Sequence, residues 1–227
     1  WYASKQIASI FSRQDKKKEA VNSLNKSFNK IVNPTTYEIF DYAEFLKNNE
    51  KYEESIKYYS EVLNIIDKKH NLYGDVLDGR GVSYDRTNQW DKAETDLLKS
   101  LSVSPNDAYV INYLAYSWIE KGINVEKSLG MLKKANELRP NDGYIIDSLG
   151  WALFKLKNYK EAKKYLELAI GYMASDPVIN DHYADTLWMN NNSLQARYYW
   201  NYVLKLEKTE EKLKKEIEQK LLFGLKT

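Results

Sequence analysis

Cysteine is absent from this 227-residue chain, which rules out disulfides, thiolate catalysis and Cys-ligated metal. Charge of one sign is also missing: 34 Lys and Arg stand against 32 Asp and Glu, mixed along the chain, for a net of +2. Such a balance gives no basic footprint for nucleic acid or an anionic membrane. No apolar run approaches the roughly 18 residues that span a bilayer, so direct membrane insertion is not expected, and no secretory signal opens the chain. The chain starts at Trp1, part-way into a repeating pattern, and reads as a processed or excised piece of something longer. Proline is scarce, and its four occurrences fall at equivalent places: Pro34, Pro105, Pro140 and Pro177. Proline cannot continue a helix interior but suits a helix start, so each closes one unit and admits the next.

What is present is a period. Ala20, Ser55, Ala93, Ser128, Ala162 and Ala196 are small residues spaced 35, 38, 35, 34 and 34 apart. Four positions after each stands Leu24, Tyr59, Leu97, Leu132, Leu166 or Trp200, and seven after stands Ser27, Val62, Ser100, Ala135, Ala169 or Val203. A second ladder runs upstream: Ala8, Ala43, Gly81, Ala115, Gly150 and Ala184, each followed three positions on by Phe11, Leu46, Tyr84, Trp118, Leu153 or Leu187. Two helically spaced apolar faces in a period near 34 mark a helix–turn–helix array. Small residues where two helices cross let their axes approach to about 8–10 Å. Most of the aromatics on these ladders, including Trp90, Trp118 and Trp200, are therefore assigned to the core.

Caps and turns punctuate the same period. Thr35 with Glu38 forms a capping-box pattern, and Asn106-Asp107, Asn141-Asp142 and Asp176 supply N-cap oxygens. Units are expected at about 1–34, 36–70, 74–107, 108–142, 143–176 and 177–207, in a single solenoid spanning 1–227. A capping helix is expected at about 209–225, with Thr209 as N-cap and Leu213, Ile217 and Leu221 as its apolar face.

These residues resemble the tetratricopeptide repeat (TPR) family, whose units place Gly or Ala, then an aromatic or Leu, then Ala and Pro at fixed positions. The stretch Leu149-Gly150-Trp151-Ala152-Leu153 through Tyr159, Ala162, Leu166 and Ala169 is close to that pattern, as is the unit with Gly81, Tyr84, Trp90, Ala93, Leu97 and Pro105. The resemblance implies an all-α, right-handed α-α superhelical solenoid of about six units. Gly150-Trp151 and the stretch from Asp176-Pro177 to Asp181-His182-Tyr183-Ala184-Asp185 are also similar to the C-terminal repeats of bacterial envelope TPR proteins, implying a bacterial periplasmic or membrane-peripheral setting.

In the family, the first helix of each unit lines a concave groove. Carried over position by position, the resemblance nominates Asp78, Asn112, Asp147 and Asp181 at one groove position, and Tyr116, Trp151 and Asp185 one turn on. Tyr109 and Tyr144 occupy a further groove position near the helix start. The groove is then acidic with aromatics between the acids. It departs from the Lys, Asn and Arg clamp by which some TPR domains hold anionic chaperone C-termini. A basic peptide or protein segment is the expected partner, with nucleic acid excluded because RNA-binding arrays of similar period need basic grooves.

Other chemistry is thin. Asp181, His182 and Asp185 lie within two turns, but one histidine and two carboxylates at one locus are a weak metal signal, and no metal or cofactor is expected. Nothing resembles a nucleophile–base pair or a phosphate-cradling loop, so an enzyme is not expected. The leading expectation is a non-catalytic protein-interaction scaffold. The alternative is a structural spacer or self-association element of a larger bacterial envelope assembly, with homo-oligomers formed through an uncapped N-terminal edge.

Overall fold

The computed structural model describes residues 1–225, and among them there are α-helices and no strand. The helices pair as α1 (Tyr2–Arg13) with α2 (Lys17–Phe28), α3 (Thr36–Asn48) with α4 (Tyr52–Ile65), and α5 (Tyr73–Arg86) with α6 (Trp90–Val103). The pattern continues with α7 (Ala108–Lys121) and α8 (Val125–Leu138), α9 (Gly143–Lys155) and α10 (Tyr159–Tyr172), and α11 (Pro177–Met189) and α12 (Ser193–Val203). A last helix, α13, runs Glu211–Phe223. The chain divides into two compact units, Trp1–Pro105 and Asn106–Thr227, each holding three hairpins.

Hairpin geometry follows from the small-residue ladders. Ala8, Ala20, Ala43, Ala93, Ala115, Ala162, Ala184 and Ala196 are wholly buried. A Cβ at Gly150 would come within 2.7 Å of Leu166 Cγ, and one at Gly81 within 2.9 Å of Leu97 Cγ. The crossing is thus too close for a larger residue, and the large residue four positions beyond each small one fills the space beside it. Trp118 and Trp200 are buried as assigned, whereas Trp90 at the start of α6 is only partly buried.

Asp15, Glu50, Asn88, Lys157 and Asn191 take positive φ, between 58° and 64°, at one equivalent place in five hairpins. In the α7–α8 hairpin Gly122, at φ 69°, takes that place, and Asn124, also left-handed at 50°, stands at the N-cap of α8. In each turn an N–H closes back five residues onto a ladder carbonyl: Lys16 on Phe11, Lys51 on Leu46, Gln89 on Tyr84, Ile123 on Trp118, Asn158 on Leu153 and Asn192 on Leu187. This left-handed closure satisfies carbonyls left over at the helix end. Between hairpins the caps act as read: the Thr35–Glu38 capping box forms, and Asp107, Asp142 and Asp176 each accept two backbone N–H bonds at the starts of α7, α9 and α11.

One cap is corrected. Thr209 does not open the last helix. Its hydroxyl is buried and donates to the Val203 carbonyl at 2.6 Å, tying the linker to α12, and Glu210 stands at the N-cap. The apolar face of α13 does pack as expected, with Ile217 wholly buried and Leu213 and Leu221 partly so, against Leu187, Trp200 and Val203.

Candidate partner-binding groove

Six of the seven nominated residues lie in the Asn106–Thr227 unit, on the successive helices α7, α9 and α11. The seventh, Asp78, lies on α5 in the other unit. Within the second unit the six divide into two kinds, and burial separates them.

Asn112 and Tyr116 face a cavity of about 250 Å³, where Tyr113 and Tyr144 supply further ring surface and Val178 and Ile179 an aliphatic wall. Asp147, Ser148 and Asp176 complete the lining. Asn112 Oδ1 is buried and accepts no hydrogen bond. A buried acceptor without a donor costs about 1–3 kcal/mol, so its retention at this position wants a reason. Tyr144 is 54% exposed and Val178 45% exposed, so the rim is open to solvent while the floor is not. Burial, with Asp176 and Asp142 nearby, raises the Tyr144 phenol above its usual range, so it stays a neutral donor.

Asp147, Trp151, Asp181 and Asp185 are instead buried, and their polar atoms are committed within the protein. Asp147 presents both oxygens to His182 Nδ1, at 3.0 and 3.1 Å. His182 stacks on Trp151 with ring centres 3.9 Å apart and planes 10° from parallel, and Trp151 stacks in turn on Phe154 at 4.6 Å. Trp151 Nε1 donates to Glu120 Oε1 at 2.6 Å, with the Lys155 ammonium 4.9 Å above its ring. The expected role of Trp151 as an aromatic groove floor is therefore revised: it is the middle of a three-ring stack joining α9 to α11. The ring surface facing the cavity comes from tyrosines.

The acidic edge is revised for the same reason. Lys220 of α13 donates to both oxygens of Asp181 and to Asp185 Oδ2, each at 2.8 Å, and Trp200 Nε1 donates to Asp185 Oδ1 at 3.0 Å. Two carboxylates share one ammonium, so one charge stays uncompensated. Burial first, then the neighbouring Asp181, pushes the Asp185 carboxyl up to about 6, against the pull of Lys220 and Trp200. Burial alone would lower the His182 and Lys220 pKa values, but the facing carboxylates outweigh it and both are raised. The acids are thus links between successive helices, Asp147 to His182 and Asp185 to Lys220, each pair 35 residues apart. Lys5 and Asp41 make a similar link from α1 to α3.

The same bonds dispose of the metal constellation. His182 turns to Asp147, while Asp181 and Asp185 turn to Lys220, so the three side chains address two different partners. Among the described residues no cluster of His, Asp and Glu has metal-holding geometry. Nor, among them, is any helix long and apolar enough to cross a membrane.

Known proteins place this arrangement in a family. The tetratricopeptide repeat model matches residues 5–209. A TPR repeat-containing protein of Pseudomonas aeruginosa is 27% identical over 135 residues, covering 56% of this chain and 21% of that protein, so the chain spans about a fifth of the relative's length. A tetratricopeptide repeat protein from Parabacteroides merdae superposes with a TM-score of 0.69 at 16% identity, over 96% of this chain and 85% of that one. A thermophilic TPR protein of Thermus thermophilus gives 0.68 at 14% identity, over 83% and 100%. Paired helices of this period, the crossing residues and the match across residues 5–209 agree: the chain belongs to the tetratricopeptide repeat family.

Proposed function

We propose that the Asn106–Thr227 unit binds an extended protein or peptide segment across α7, α9 and α11. Repeats of this family generally mediate protein–protein interaction. The observation that carries the reading is the unpartnered Asn112 carbonyl, buried at a tyrosine-lined cavity. An extended backbone offers an N–H to that oxygen and lays a side chain of aliphatic or aromatic size against Tyr113, Tyr116 and Ile179. Tyrosine supplies contact area at small entropic cost, which suits a recognition surface. Asp176, partly exposed at the wall with only its Oδ1 taken by the cap bonds, favours a cationic residue beside the inserted one, so a net-positive segment is the preferred ligand. The unit acts without catalysis.

A specific observation also favours the structural reading for part of the expected site. Asp181 and Asp185 are tied to Lys220, so they brace α13 against α11. The partner surface is accordingly proposed at Asn112 and Tyr116, with the buried Asp147 in the wall behind them and Asp78 on its own unit.

The test is selection of binding peptides from a random library on the intact chain, followed by affinity measurements on Asn112→Leu and Tyr116→Ala. Each substitution should weaken a groove-bound peptide at least tenfold while leaving the melting transition in place. Unchanged affinity for both would place binding elsewhere on the chain.

A further inference from the structure

The face on which α13 rests is built differently from the rest of the unit. On α11, ten residues of thirteen are buried, whereas α13 contributes Ile217 alone. Its Leu222 and Phe223 are 69% and 66% exposed. Polar contacts hold much of it: Lys220 to Asp181 and Asp185, and the Arg197 guanidinium to the Leu221 carbonyl. Just past the helix, Gly224 is buried at φ 75°, and a Cβ there would overlap the Trp188 ring. The receiving face is also tied together from its own side. With α13 in place Leu187, Trp200 and Val203 are wholly buried on α11 and α12, and Trp200 holds Asp185 from the α12 side.

The link to this face copies the one between repeats. Asp147 of α9 meets His182 of α11, and Asp185 of α11 meets Lys220 of α13, at the same offset of 35 residues. Helix α13 thus sits where the first helix of another repeat would sit, with thinner apolar burial and a lysine as its main polar anchor.

From these observations we infer that the face formed by Asp181, Asp185, Leu187, Trp188 and Trp200 is a docking surface for an amphipathic helix carrying Lys three residues after Ile, with α13 as its exchangeable resident. Charge complementarity sets the partner's chemistry. Two adjacent buried carboxylates accept one ammonium and reject an acidic or neutral helix, because unpaired buried charges are costly. The apolar cluster accepts one aliphatic side chain one turn before it, and the Trp188 ring demands a glycine where the helix ends. A helix of this chemistry supplied in trans competes with α13, and loosening α13 raises its affinity.

The experiment uses the intact chain and a fluorescent peptide of residues 209–225, followed by anisotropy, with hydrogen exchange reporting the protection of α13. The chain is compared with Gly224→Ala, which crowds Trp188, and with Ile217→Ala, which removes the buried anchor. In both variants α13 amides should lose protection before those of α11, and the peptide should bind at least tenfold more tightly than to the unchanged chain. A Lys220→Gln peptide should lose at least tenfold on the same variants. The inference is overturned if α13 keeps the protection of α11 in both variants. It is overturned equally if the loosened chains bind no peptide, or bind the Lys220→Gln peptide as well as the native one. Self-association of the loosened chains without peptide binding would also overturn it, in favour of helix exchange between copies.

Discussion

Buried acids make the second unit's stability depend on pH in an unusual direction. Asp185 has its carboxyl raised from an ordinary 3.8 to about 6 in the folded chain. A group raised on folding stabilises fully below its unfolded pKa, and that contribution is lost as pH rises through the folded value. Between pH 5 and 8 the loss from Asp185 is about 1.4 kcal/mol, using about 1.4 kcal/mol per pKa unit and integrating over the window. His182, also raised, acts in the same sense above its usual 6.5. Glu38 and Glu211 are held low and act oppositely, but only near and below 4.5. The groups around Asp185 are Asp181 and His182 on α11, Asp147 on α9, Trp200 on α12 and Lys220 on α13, and none supplies a second cation beyond His182 and Lys220. The chain should therefore be more stable to urea at pH 5.5 than at pH 8, followed by tryptophan fluorescence. Asp185→Asn keeps an acceptor for Trp200 and leaves Lys220 to Asp181, so it should flatten much of this slope and match or exceed the native stability at pH 8. Stability that rises from pH 5.5 to 8, or an unchanged slope in Asp185→Asn, would refute the reasoning.

Ala162→Leu should cost about 1–3 kcal/mol by overpacking a fully buried helix crossing, seen as a lowered melting transition; an unchanged transition would contradict the crossing assignment. Trp151→Phe keeps the ring stack but deletes the bond to Glu120, and should cost about 1 kcal/mol in urea titration while leaving affinity for a groove peptide within twofold. A large loss of peptide affinity would return Trp151 to the binding surface.

The array was legible because its signal is steric and local. Gly150 and Ala162 must be small for two neighbouring helices to cross, and that need repeats with the hairpin, so the period can be read from residue size alone. The turns were half legible. Asn88, Gly122 and Asn191 announce a left-handed residue, but Glu50 and Lys157 take the same conformation with no local preference for it, under the demand of the back-bonded ladder carbonyl. The groove was legible in position and not in state. Helical spacing places Asp147 and Asp185 on the inward side of their helices, yet whether an acid there is free depends on a cation about 35 residues away. The surroundings of Trp151 are hidden for a related reason, since they combine Glu120, Phe154 and His182 from three helices. Tyr144, assigned to the groove from its place near the helix start, does line the cavity.

The claim that matters most is where a partner sits, and amide chemical-shift mapping of the isotope-labelled chain against a selected peptide measures it directly. Shifts should concentrate at Asn112, Tyr116, Tyr144 and Val178, on α7, α9 and α11, with the Asn112 side-chain amide among the largest. Shifts confined to α8, α10 and α12, or to residues 1–105, would contradict it.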